Sequence, residues 1–160
     1  MAYNLKVKII DTYPKIPDER QDLNEQTVVI ELPDGKQIGL FNTMPIVQDM
    51  IGQMMDISIV VGPKINGIKI VDDTKPGIEP SSNNPHGYRD HKYSGIIREI
   101  GVKDKWHPVM GYLYLVSICV GSFNVLVDFD KNLYNIISEG DKVEVKGAMS
   151  NLLYQGEVVE

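Results

Sequence analysis

Apolar and polar side chains alternate from the start of the chain. Within residues 3–13, the run Lys6-Val7-Lys8-Ile9 places an apolar side chain at every second position, the period of a strand with one buried face. The polar stretch Pro14 to Gln26 reads as a long loop. Thr27 to Leu32 and Gln37 to Phe41 are apolar runs separated by Pro33-Asp34-Gly35-Lys36. Asp-Gly tolerates positive φ at both positions, so this spacing predicts a β-hairpin. Val47, Met50, Ile51 and Met54 fall at i, i+3, i+4 and i+7, one face of a helix. Thr43 would cap that helix and Pro45 would sit in its first turn. Asp56 to Val61 returns to strand, and Asn66-Gly67 predicts a second tight turn before a closing strand, Ile68 to Val71.

Residues 73–91 interrupt the pattern with Pro76, Pro80, Pro85, Ser81-Ser82 and Asn83-Asn84, the composition of a linker or an exposed excursion. The earlier order then repeats. Ser94 to Ile100 is a strand and Val102 to Pro108 a charged loop. Tyr112 to Val120 and Phe123 to Phe129 form a hairpin across Gly121-Ser122. Asp130 caps a short helix carrying Leu133, Ile136 and Ile137. Asp141 to Lys146 is a strand, Gly147 to Asn151 turns it, and Leu152 to Val159 closes. Gly35 and Gly121 lie 86 residues apart, while Asp56 and Asp141, like Gly62 and Gly147, lie 85 apart. A shared order at a nearly constant offset predicts an internal duplication, with domains at 1–73 and 93–160 and a linker at 74–92.

Five strands with a helix between the third and fourth resemble the OB-fold, the small Greek-key barrel. Tyr114 to Phe129, a short helix, and then Gly140-Asp141-Lys142-Val143-Glu144-Val145-Lys146-Gly147 carry the resemblance best. It covers nearly all of 93–160 and, more loosely, 3–72, where Met54-Met55 replaces the Gly-Asp approach. It implies a mostly β protein of two tandem OB-like five-stranded barrels, each with a short helix between strands 3 and 4. OB-folds bind single-stranded nucleic acids, oligosaccharides or proteins, so the resemblance implies a binding module rather than a reaction.

Charge complicates the nucleic-acid reading. The net charge is −6, divided as −4 over 1–73, +1 over 74–92 and −3 over 93–160. Phosphate binding draws on Lys and Arg, and neither half has a surplus, although a local basic face is compatible with an acidic total. No apolar run reaches the ~20 residues of a membrane span. The first residues lack the order of a signal peptide, so a cytoplasmic protein is expected. Cys119, the single cysteine, leaves no internal disulfide, and its apolar surroundings predict a buried structural thiol.

Candidate chemistry is sparse. His86, Asp90 and His91, with His107 as a third imidazole, are zinc-type ligands by residue type, but a polar linker does not pre-orient them. Asp72-Asp73 reads as a strand end and Asp130 as a helix cap, rather than as paired acid and base. Phosphate-loop, dinucleotide, zinc-protease and nucleophile-elbow motifs are absent. The expectation is a protein that is not an enzyme and uses no metal or cofactor. The best binding cluster is Lys92, Tyr93, Arg98, Lys103, Lys105, Trp106, Tyr112 and Tyr114, with His107 beside it. Cations that track phosphates and rings that stack on unpaired bases make a single-stranded DNA or RNA site. Tyr112 and Tyr114 alternate with the equally apolar Leu113 and Leu115, so either set can face the core. Trp106 beside Pro108 fits a packing or protein contact as well. The alternative function is a protein-interaction or assembly subunit, favoured by the acidic surface and by the adaptable side chains of Met44, Met50, Met54 and Met55.

Overall fold

A computed structural model describes residues 5–15, 25–42, 46, 48–101 and 114–154. The described residues are mostly β. They form β1 (Leu5–Tyr13), β2 (Gln26–Glu31), β3 (Gln37–Asn42), β4 (Met54–Val71), β5 (Gly77–Glu79), β6 (Lys92–Ile100), β7 (Leu115–Cys119), β8 (Asn124–Asp128) and β9 (Lys142–Tyr154). A 3-10 turn at Gln48–Met50 and one short helix, α1 (Lys131–Tyr134), complete the set.

Local signals explain several elements. In β1, Leu5, Val7 and Ile9 are buried while Lys6 and Lys8 are exposed. A register shift between Ile9 and Asp11 resets the alternation, as a bulge does, and buries Thr12 instead. Gly35 adopts φ +89° in the β2–β3 hairpin, where the Leu32 amide donates to the Lys36 carbonyl. Gly121 adopts φ +127° between β7 and β8, which pair antiparallel from Leu115↔Asp128 to Cys119↔Asn124. Asp130 caps α1, its Oδ1 accepting from the Leu133 amide at 2.9 Å.

The strands join one mixed sheet in the order β1-β2-β3-β9-β4-β8-β7-β6-β5, with further pairings β1–β4 and β9–β6. These further pairings close the sheet on itself. One circuit runs β1, β2, β3, β9, β4 and back to β1; the other runs β4, β8, β7, β6, β9 and back to β4. Strands β4 and β9 belong to both. Each circuit therefore takes four strands from one half of the chain and one from the other. The borrowed strand makes a parallel pairing in each, Phe41↔Asn151 in the first and Val60↔Leu126 in the second.

This arrangement overturns two expected turns. Asn66-Gly67 and residues 147–151 do not reverse the chain; they lie inside β4 and β9. The two strands pair antiparallel from Ile57↔Tyr154 to Val71↔Lys142, so each satisfies the ladder that a hairpin partner would have satisfied. The positive φ of Asn66 (56°) serves a bulge. Between Pro63↔Gly147 and Ile68↔Val145, residues 64–67 leave the ladder. The helix expected after Thr43 is also revised. Thr43, Met44, Pro45 and Val47 lie outside the described residues. Beyond them there is one 3-10 turn, and Met54 opens β4, 58% exposed. Gly52 at φ +91° stops the turn, and its amide donates to the Ile9 carbonyl of β1.

Buried side chains from both circuits, including Ile38, Leu40, Ile59, Val61, Val116, Ile118, Val143 and Val145, form one continuous apolar cluster. Residues 74–92 pack onto this body. β5 pairs with β6, and Ile78, Ser81 and His91 are buried. Residues 81–91 form a strap along β9. The Ser150 amide donates to the Tyr88 carbonyl, the Asp90 amide to the Gly147 carbonyl, and the Gly147 amide to the His91 carbonyl. On its other side the strap crosses β3 at Gly39. A Cβ there would lie 2.0 Å from the His86 carbonyl oxygen, so only glycine lets the two backbones approach this closely.

Candidate nucleic-acid interface

The strap brings together side chains that are far apart in sequence. Tyr88 lies against Phe41 of β3, with ring centroids 5.1 Å apart and planes tilted by 53°. The Arg89 guanidinium sits over the Tyr88 ring, its Cζ 5.2 Å from the centroid, within cation–π range. Tyr13, at the end of β1, is half exposed beside them. A hollow of about 190 Å³ is lined by Tyr13, Glu25, Gln26, Thr27, Phe41 and Tyr88. A second, of about 390 Å³, shares Tyr13 and Thr27 and adds Asn84, His86 and Gly87.

The floor of the site is rigid. Gln26, buried at the start of β2, donates through Nε2 to the Ile46 carbonyl at 2.9 Å and to the Pro14 carbonyl at 3.2 Å. Its Oε1 accepts from the Ile46 amide at 3.0 Å. One amide side chain thus ties β2 to the segments at Pro14 and Ile46. Asp11 beside Tyr13 raises the phenol above its usual range, which keeps Tyr13 a neutral ring and hydrogen-bond donor. Charge at the rim is mixed, with Arg89 and His86 against Glu25. Lys15 is held by Asp11 at 3.8 Å, and Asp90 by Lys64 of β4.

Of the residues singled out from sequence, Lys92, Tyr93, Arg98 and Tyr114 are described. Tyr93 is wholly buried, and its hydroxyl shares a 2.6 Å hydrogen bond with Ser150 Oγ; this ring packs the core and is not offered to a ligand. Burial lifts its phenol far above the usual range. Lys92 is half-buried and faces Glu144 at 3.6 Å. Arg98 is exposed on β6. Tyr114 is half-buried and lies against Tyr134 of α1, centroids 5.0 Å apart. Lys103, Lys105, Trp106 and Tyr112 lie outside the described residues, as does His107.

Other candidates resolve into structural roles. His91 is fully buried, and both ring nitrogens are engaged by main chain, Nδ1 by the Ser81 amide and Nε2 by the Gly39 carbonyl. It is therefore not placed to ligate a metal with the exposed His86. Asp73 faces Lys142 at 3.5 Å. Cys119 is part-exposed rather than buried, because it ends β7, and its thiol donates to the Gly121 carbonyl.

No protein-family model matches this chain, and no curated protein matches it. Among solved structures, one that is similar is the cytoplasmic molybdate-binding protein ModG in a crystal form with molybdate bound. It is 11% identical, the match covers 94% of this chain and 92% of that chain, and the TM-score is 0.41. At that distance nothing about ligand carries over.

Tyr13, Phe41, Tyr88 and Arg89 were not singled out from sequence. Phe41 and Tyr88 lie 47 positions apart in the chain, and no local pattern links them. One signal was available: Gly39 inside an apolar strand marks a place where another backbone comes close.

Proposed function

We propose that the protein is a non-enzymatic binding module that takes single-stranded nucleic acid on the face built by Tyr13, Phe41, Tyr88 and Arg89. In this reading the two strand circuits are two OB-like barrels that exchange β4 and β9. The face takes Tyr13 from β1, Phe41 from β3 and Tyr88 and Arg89 from the strap, with Gln26 and Thr27 of β2 lining its hollow; strands 2 and 3 are among the elements with which OB-folds hold their ligands. The observation that carries the reading is the Phe41–Tyr88 ring pair with Arg89 above it and Tyr13 exposed alongside. Phe41 and Tyr88 are half-buried and Tyr13 is exposed; the accessible part of each ring offers a surface on which an unpaired base stacks at ~1–3 kcal/mol, and Arg89 adds a cation that tolerates a π-face.

The acidic total predicts few phosphate contacts and hence a shallow dependence on salt. The test is fluorescence anisotropy of labelled DNA and RNA oligomers against the wild type and Tyr88→Ala. The variant keeps the strap's main-chain bonds and should bind ~5–100-fold more weakly, the equivalent of one lost stacking contact. Equal affinity would remove this face from the binding site. A complete absence of binding at low salt would favour the second reading, protein interaction. That reading draws on the exposed Met54, Ile65 and Ile136 (58%, 94% and 69% accessible).

A further inference from the structure

The strap that carries Tyr88 and Arg89 is held across β3 by a buried histidine whose charge state is fixed by its partners. His91 is fully buried. The Ser81 amide donates to Nδ1 at 3.1 Å, so that nitrogen must carry a bare lone pair. Nε2 lies 3.1 Å from the Gly39 carbonyl, so that nitrogen must carry the proton. Only the neutral Nε2–H ring meets both. The imidazole thereby bridges the start of the strap, at Ser81, to the part of β3 over which His86 and Gly87 pass.

We propose that His91 is a pH-sensitive latch on the aromatic face, holding the strap on β3 while neutral and releasing it when protonated. This inference rests on the binding role given to that face. A proton on Nδ1 would set it donor to donor against the Ser81 amide. The bond would be lost, and a charge would be left in the core. The groups around the ring set the balance. Burial dominates and favours the neutral form. The carbonyls of Gly39 and Gly87 and the carboxylate of Asp90 favour the charged form. Asp90 is itself engaged by Lys64 of β4, and β9 presents the main chain of Gly147, bonded to His91's own carbonyl and to the Asp90 amide. The net effect places the folded ring below the usual value of 6.5. The latch is then fully closed above about pH 6.5 and loosens as pH falls below that value. The other strap anchors are main-chain bonds to β9, which do not titrate, and the Asp90–Lys64 ion pair, in which Lys64 holds the Asp90 carboxyl below its usual range, so that it stays charged at about pH 5.5.

His91→Gln separates the latch from every other titrating group. Glutamine can accept from Ser81 and donate to Gly39 without taking up a proton. Oligonucleotide affinity is measured for both proteins at about pH 7.5 and about pH 5.5, with protection of the Ser81 amide followed by hydrogen exchange. One pH unit below 6.5 lowers the closed-to-open ratio by at most about tenfold, so Ser81 protection in the wild type should fall several-fold and oligonucleotide affinity by no more than that. The variant should change by less than about twofold, and Ser81 protection should fall in the wild type alone. An equal acid effect in both proteins overturns the latch. If neither binds oligonucleotide at about pH 7.5, the binding role fails. Ser81 exchange then decides the latch by itself, because protection that is independent of pH overturns it. Should the variant not fold, imidazole NMR of the wild type serves, and a ring titrating at or above pH 6.5 overturns the proposal.

Discussion

Replacing Tyr93 with phenylalanine removes one oxygen atom from the centre of the protein. Tyr93 is fully buried on β6, where it pairs with Val145 of β9. Its hydroxyl reaches Ser150, farther along the same strand, at 2.6 Å. Ser150 is also fully buried. The ring and its packing survive Tyr93→Phe, so the cost is the bond and the stranding of the serine hydroxyl. A buried polar group left without a partner costs ~1–3 kcal/mol. For a chain of this size that is a fall in melting temperature of roughly 3–9 °C. Ser150→Ala should cost about as much, because it strands the phenol instead. The double variant removes both groups and should be less destabilised than the sum of the two, by about 1–2 kcal/mol. Thermal and urea unfolding of the four proteins completes the cycle. Additive single variants, or a neutral Tyr93→Phe, would show that the two hydroxyls are not bonded. Because Tyr93 is enclosed, Tyr93→Phe should also leave oligonucleotide affinity unchanged.

Two further substitutions test how the site is built. Gly39→Ala puts a methyl group against the His86 and Gly87 main chain, at 2.0 and 2.8 Å, which no side-chain rotation relieves. It should cost ~1–3 kcal/mol and lift the strap, seen as faster amide exchange at the Ser81 amide while the core remains protected. Unchanged stability and exchange would contradict the close approach. Asp130→Ala removes the cap of α1 and should cost about 1 kcal/mol by urea unfolding, with Asp130→Asn costing less.

What the sequence reveals here is local. Asp34-Gly35 and Gly121-Ser122 specify hairpins because the flanking strands have no nearer partner. Asp130 specifies a cap because the Leu133 amide is within reach of its own side chain. The alternation in β1 holds until the bulge at Asp11, and β2 shows the limit of alternation, since Val28, Val29 and Ile30 are all buried. The 3.6-residue spacing from Val47 to Met54 fails because Gly52 interrupts it. The proposed binding face depends on tertiary placement. Phe41 comes from a strand, Tyr88 and Arg89 from a segment whose prolines and serines read as a linker. Only the fold brings them to one surface.

The exchange of β4 and β9 shows why turn residues did not settle the topology. A residue at positive φ fixes the backbone at one point, and its neighbours decide whether that point becomes a reversal or a bulge. At Asn66 the strand continues because β9 lies alongside, paired on both sides of the bulge. At Gly147 it continues because β4 lies alongside in return. Each turn that would have kept a half self-contained is replaced by pairing with the other half. Neither five-strand circuit can then close without a strand from its counterpart. Such a chain has no independently closed half to cut out. Separate fragments would each lack one strand and expose the edges that β4 and β9 now cover, a template for pairing between chains. Fragments of residues 1–73 and 74–160 should therefore be poorly soluble or oligomeric when expressed singly, and should recover a defined, cooperatively melting complex when mixed. Two fragments that each gave a monomeric, cooperative unfolding transition would contradict the shared strands.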